Sequence, residues 1–244
     1  MREEIPMYNT SRSEAERYGD EELWDRSFTE NVACARAIER AIRAGTEENG
    51  MLRPNCIEPV IAEYGLKRTQ FVLAHSVRML GKEAAASEET KTWCRGFRTV
   101  TDAIYGRYFA VKAKPEALEA FICQAREAFQ AIGLFGRDRY EPISEAMDLT
   151  GRVLVLSPDT LKESAWQQEN QLWLAESGFG CSPNARGRAV YATCLGDGEQ
   201  ARWNRGDFIG VLDERFLPDW AKPRLAELRG QTQDTGMTMS GIQI

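Results

Sequence analysis

Arg188-Ala189-Val190-Tyr191-Ala192-Thr193-Cys194-Leu195-Gly196-Asp197-Gly198-Glu199-Gln200-Ala201-Arg202-Trp203-Asn204-Arg205-Gly206-Asp207-Phe208-Ile209-Gly210-Val211-Leu212 is the stretch whose reading decides the fold. Its glycines are concentrated around short strand-like runs, as expected where the backbone must turn or approach another chain segment closely. Gly196-Asp197-Gly198-Glu199 has the composition of a tight turn, so 188–195 and 200–204 are read as the arms of an antiparallel hairpin. Phe208 to Leu212 is expected as another strand beside it.

Working outward, Gly151 to Leu156 and Gln171 to Glu176 are further strands. Ser157-Pro158-Asp159 has a helix-cap serine followed by proline at the first helical position, and is expected to start a short helix. A short, twisted antiparallel sheet or partly open barrel fits residues 150–230 best. A helix from Leu217 to Leu228, with Trp220, Leu225 and Leu228 inward, would close it. Residues 231–244 are expected to form a loosely ordered tail.

The preceding residues have helical periodicity. Ser13-Glu14-Ala15-Glu16 has capping-box spacing and opens a short turn ending near Gly19. From Glu21 to Ala44, Leu23, Trp24, Phe28, Val32, Ala35, Ile38 and Ile42 recur at three- and four-residue steps. Helices are also expected from Asn55 to Tyr64, with Pro59 in the first turn, from Thr69 to Leu80, and from Ser87 through Phe97. Residues 101–149 read as a bridge and linker, with an aromatic strand over Tyr105–Val111, a helix from Pro115 to Gly133, and an irregular cover over Phe135–Leu149. The expected fold is therefore α+β: a helical bundle over 1–100, the small α/β bridge, and a β-rich domain.

Composition excludes several classes. A net charge of −6, with neither a basic block nor an acidic tail, lacks the footprint of a dedicated nucleic-acid binder. The acidic start Met1-Arg2-Glu3-Glu4 is unlike a secretory signal, and no segment has the length of a membrane span, which leads to an expectation of a cytoplasmic protein. Its six cysteines are scattered without a Cys-x-x-Cys pair and read as reduced, buried thiols. A structural zinc site would have to gather ligands from across a chain with one histidine. No metal or other cofactor is expected.

Cys181, in Gly178-Phe179-Gly180-Cys181-Ser182-Pro183, is the most evident nucleophile candidate, but a thiolate needs a base or a positive environment. His75 is placed in an apolar helix of a different domain and reads as a hydrogen-bonded core or interface residue. Asp197, Glu199 and Asp207 could hold a cation, yet alternating glycines and acids are also how hairpin turns look. Gly178-x-Gly180 completes no phosphate-loop pattern. Arg186, Arg188, Arg202 and Arg205, interleaved with Phe179, Tyr191 and Trp203, make the best binding surface. Arginine pairs bidentately with carboxylates or phosphates, and aromatics stack on bases or pack against a partner. The acids Asp197, Glu199 and Asp207 nearly cancel the positive charge, which favours a protein partner over nucleic acid.

Leu23 through Ile42, then Val60-Ile61-Ala62-Glu63-Tyr64-Gly65 and Phe71-Val72-Leu73-Ala74-His75-Ser76-Val77, resemble an uncharacterised helical domain family carried on conjugative and integrative elements of gut bacteria. The resemblance covers roughly the first hundred residues and transfers no catalytic residue; 178–212 more loosely resembles a β module of such proteins. It implies a mobile-element setting, in which many small proteins counter host defences. The leading expectation is a non-enzymatic macromolecule-binding protein, in its finer form an inhibitor of a restriction or CRISPR nuclease. The alternatives are a small enzyme of nucleotide or modified-residue chemistry using Cys181 or the acidic turn, and a nucleic-acid-binding regulator.

Overall fold

The computed structural model describes residues 5, 7–8, 10–79, 86–97, 109–184 and 187–237. The architecture is α+β. It comprises two compact units, Met1–Ala131 with helices and Ile132–Ile244 with an open antiparallel sheet of six strands.

The first unit contains α1 (Arg12–Tyr18), α2 (Glu21–Gly45), α3 (Glu58–Tyr64), α4 (Leu66–Met79), α5 (Glu88–Arg95) and α6 (Pro115–Ala131). The cap of α1 is Ser11, whose hydroxyl accepts the Glu14 N–H at 3.1 Å; the capping-box serine, Ser13, lies two residues too late and is itself helical. In α2 the expected stripe buries Trp24, Ile38 and Ile42, but Leu23 is exposed while Ser27 and Asn31 are buried. The cause is the buried Arg68 of α4, which donates through Nη1 to the Ser27 carbonyl at 3.2 Å and to Asn31 Oδ1 at 2.5 Å. A guanidinium taken out of water needs acceptors, so polar groups occupy places that periodicity assigns to apolar ones.

Helix α6 buries Leu118, Phe121, Ile122 and Ala125 within this unit. Its Gln124 Nε2 donates to the Arg53 carbonyl at 2.9 Å, and its Glu119 accepts the Thr90 hydroxyl of α5 at 2.7 Å. Of the strand expected over Tyr105–Val111, residues 105–108 lie outside the described residues and Phe109–Val111 form no strand. The Val111 N–H donates instead to the Ser76 hydroxyl of α4 at 2.9 Å, so helix packing takes a donor that a ladder would use.

The second unit contains β1 (Tyr140–Glu141), β2 (Val153–Leu156), α7 (Gln168–Gln171), β3 (Leu172–Ser177), β4 (Ala189–Cys194), β5 (Gln200–Asn204), β6 (Phe208–Leu212) and α8 (Lys222–Met237). The strand order is β1-β6-β2-β3-β4-β5. Thus β6 is not beside the hairpin; it pairs with β2 and β1 on the other side of the sheet. Residues Phe135–Leu149 are less irregular than expected, since they supply edge strand β1 and the fully buried Leu149. Ser157 closes a turn rather than starting a helix, accepting the Thr160 N–H at 3.0 Å. Helix α8 starts at Lys222 because Pro223 fits only a first turn, and it continues through 231–237, where a loose tail was expected; 238–244 lie outside the described residues.

The short link between β5 and β6 forces curvature. Four residue steps reach at most ~14 Å, whereas four strand spacings in a flat sheet would be ~19 Å. The sheet therefore curls. Its inner face gathers Leu154, Leu156, Trp173, Val190, Ala192 and Phe208, with Trp203 packed against them. The outer face gathers Val153, Val155, Leu172, Leu174 and Leu212 with Ala221 and Leu225 from the α8 region.

Candidate binding face on the β4–β5 hairpin

Strands β4 and β5 pair antiparallel with Val190 opposite Trp203, Tyr191 opposite Arg202 and Ala192 opposite Ala201. Because side chains alternate across a strand, this register divides the sequence-derived cluster. Trp203 points into the curl, where its ring meets Trp173 edge-on at 5.1 Å and Phe208 at 6.5 Å. Its buried indole Nε1 has no hydrogen-bond partner. Tyr191 and Arg202 lie on the outer face, both exposed, Tyr191 at 48%. Arg188 is exposed just before β4, and Arg186 lies outside the described residues.

Arg205 is committed to the fold. Its Nη2 donates to the Ser144 and Met147 carbonyls at 2.8 and 2.7 Å, and its Nη1 to the Gly180 and Ser182 carbonyls. One guanidinium thus joins the Gly180–Ser182 turn to the 144–147 segment, because its planar fork can serve several carbonyls at once. The exposed side chains left for a partner are Tyr191 and Arg202 on the outer face, with Arg188 and Phe179 exposed in the segments flanking the strands. Phe179 is 78% exposed on the turn after β3. That turn requires glycine at 178, where φ is +113° and an added Cβ would lie 2.4 Å from the Ala189 carbonyl oxygen and 3.2 Å from the Tyr191 ring. Glu176, also on this side, accepts the Thr193 hydroxyl at 2.6 Å. Among the described residues, neither Arg188 nor Arg202 forms an ion pair.

The groups considered for chemistry have structural roles. Cys181 is buried, its Sγ donates to the Ser177 carbonyl at 3.1 Å, and burial, reinforced by Asp148, raises its thiol pKa. Asp197 accepts the Glu199 N–H at 2.9 Å across the hairpin turn, the bond that chiefly holds its carboxyl below the ordinary range. Asp207 forms a reciprocal cap with Asn204, accepting the Asn204 N–H at 2.7 Å. No group of three or more His, Cys, Asp or Glu side chains among the described residues could hold a metal ion.

His75 belongs to the helical unit and lies in its core, stacked at 4.1 Å on the Phe109 ring. It is not hydrogen-bonded as expected: both ring nitrogens are buried without a partner. Burial, and secondarily Arg78, lowers its pKa to about 4. The same unit has a concavity of 370 Å³ between α2 and α3, walled by Ala37, Ala41, Gly45 and Val60 with Arg40 and Arg53 at its rim. Sequence reading did not single it out; its signal is the succession of small residues along α2 facing Pro59 and Val60.

The fold and this face define an α+β protein that displays an exposed Tyr–Arg pair at the open edge of a curled sheet. The chain belongs to the family described as protein of unknown function DUF3849, whose profile matches residues 7–130. The match ends where the helical unit ends, so the hairpin lies outside it. No curated protein and no solved structure matches the chain significantly.

Proposed function

We propose that this is a non-enzymatic, cytoplasmic binding protein whose partner is another protein, engaged through the outer surface of the β4–β5 hairpin. The observation that carries the reading is the Tyr191–Arg202 pair: an exposed aromatic ring on β4 opposite an exposed guanidinium on edge strand β5, the guanidinium without an ion-pair partner among the described residues. Tyrosine and arginine supply contact area and directed donors and are enriched where interfaces concentrate their energy. A protein is favoured over nucleic acid because Arg202 is the sole cation of β5 and Glu176 shares its side of the sheet, far from the array of phosphate contacts that a nucleic-acid site uses. The enzymatic alternative has less support, since Cys181 and the acidic turn residues are engaged in holding turns. No helix among the described residues is long and apolar enough to cross a membrane.

The mobile-element resemblance makes host defence nucleases the first partners to test. Full-length protein in excess over representative restriction and RNA-guided nucleases is expected to form a complex and stop cleavage by one of them. Tyr191→Ala/Arg202→Ala should fail to do so while keeping the wild-type melting temperature. Unimpaired cleavage throughout removes the nuclease assignment. Salt-steep binding to DNA or RNA, weakened by the same variant, replaces the protein partner with nucleic acid.

A further inference from the structure

Strand β5 has a neighbour, β4, on one side and an open edge on the other. Two hydrogen bonds bracket the β4–β5 ladder: Arg205 N–H to the Arg188 carbonyl at 2.7 Å and Cys194 N–H to the Glu199 carbonyl at 2.8 Å. With the Cα register, they make Val190–Trp203 and Ala192–Ala201 hydrogen-bonded pairs and Tyr191–Arg202 a non-hydrogen-bonded pair. The N–H and C=O of Gln200 and Arg202 consequently point away from β4. The Asn204 N–H on that side is taken by Asp207, whereas among the described residues no hydrogen bond reaches those of Gln200 or Arg202. A short row of alternating donors and acceptors is left facing outward, the arrangement to which an additional strand pairs.

Charge selects the occupant. Gln200-Ala201-Arg202-Trp203-Asn204 carries one cation and no acid, and the Arg202 guanidinium has no acidic partner among the described residues. Opposite charges facing each other across a strand pair stabilise it, and like charges oppose it. A second copy of β5 in the register centred on residue 202 would face arginine with arginine. An extended segment with a carboxylate opposite Arg202 would complete both the ladder and the ion pair.

We propose that β5 is a docking edge for an extended, acidic segment of a protein partner, which adds to the sheet as a seventh strand. This rests on the hairpin being the binding face and specifies its mode of engagement. The direct test is fluorescence anisotropy of full-length protein with a labelled, end-capped heptapeptide of alternating valine and glutamate. The glutamate peptide is expected to bind about fivefold more tightly than its lysine counterpart. Of two versions N-methylated at alternate amides, the one lacking the ladder-facing N–H groups should lose binding. Arg202→Pro, which removes an outward N–H, should lose the peptide more completely than Arg202→Ala; if the proline variant misfolds, the methylated peptides still decide.

Equal binding of the glutamate and lysine peptides overturns the charge argument. Binding by both methylated peptides as strong as by the parent overturns strand addition while leaving a side-chain binding face intact. No binding by the parent peptide also overturns strand addition, and capture of a partner that depends on Tyr191 and Arg202 then judges the broader reading separately. A concentration-dependent dimer abolished by Arg202→Pro overturns the proposal in favour of a second copy as occupant.

Discussion

At the residue scale, two arginines three positions apart in sequence have opposite roles. Arg205→Ala removes a guanidinium shared by four backbone carbonyls and should destabilise the second unit by about 3 kcal/mol, read by urea denaturation. Arg202→Ala removes an exposed side chain and should shift stability by less than ~0.5 kcal/mol. His75 gives a pH-dependent prediction. Its folded pKa of about 4 lies below the ordinary 6.5, so the unfolded chain takes up a proton first as pH falls, and stability is lost from about pH 6.5 downward until the folded-state group titrates. The loss attributable to this group is about 3 kcal/mol by pH 4. Wild type should therefore lose that much more stability than His75→Phe between pH 7 and pH 4 in parallel denaturant titrations; identical losses would contradict an uncharged, buried imidazole.

At the element scale, the hairpin depends on the turn that precedes it. Gly178→Ala combines an unfavourable positive φ with a collision against the Ala189 carbonyl, and should cost about 2 kcal/mol or more in thermal or urea unfolding. The strands β4, β5 and β6 were legible because glycine-rich turns punctuate β-branched and aromatic runs. Edge strand β1 was not: Tyr140–Glu141 is too short for a periodic signal and exists by pairing with Val211 and Leu212. The position of β6 was equally hidden, since local spacing suggests adjacency whereas the curl carries Phe208 across to Leu156. The candidate cluster of arginines and aromatics is visible in composition, while its division between the two faces of the hairpin is hidden in geometry. Alternation turns Trp203 inward, and the need to satisfy carbonyls removes Arg205 from the surface, leaving Tyr191 with Arg202. In α2, the demand of Arg68 for acceptors similarly overrode the apolar template at Ser27 and Asn31.

At the scale of the whole molecule, the helical unit includes α6, whose Phe121, Ile122 and Ala125 are fully buried. A fragment of residues 1–131 should unfold cooperatively by circular dichroism, while residues 1–100 should not, because removal of α6 exposes the apolar surface beneath it. The family match through residue 130 is consistent with that boundary. For the other unit, the proposed role of the hairpin is to engage a protein through its outer surface. It is tested most directly by quantitative affinity capture from the source cells with full-length wild type, Tyr191→Ala/Arg202→Glu, and Arg36→Glu, an exposed-site control in the helical unit, as parallel baits. The predicted result is a near-stoichiometric protein retained by wild type and Arg36→Glu and lost from the hairpin variant, with all three baits folded. Equal retention by all three, or no specifically retained protein, would contradict it.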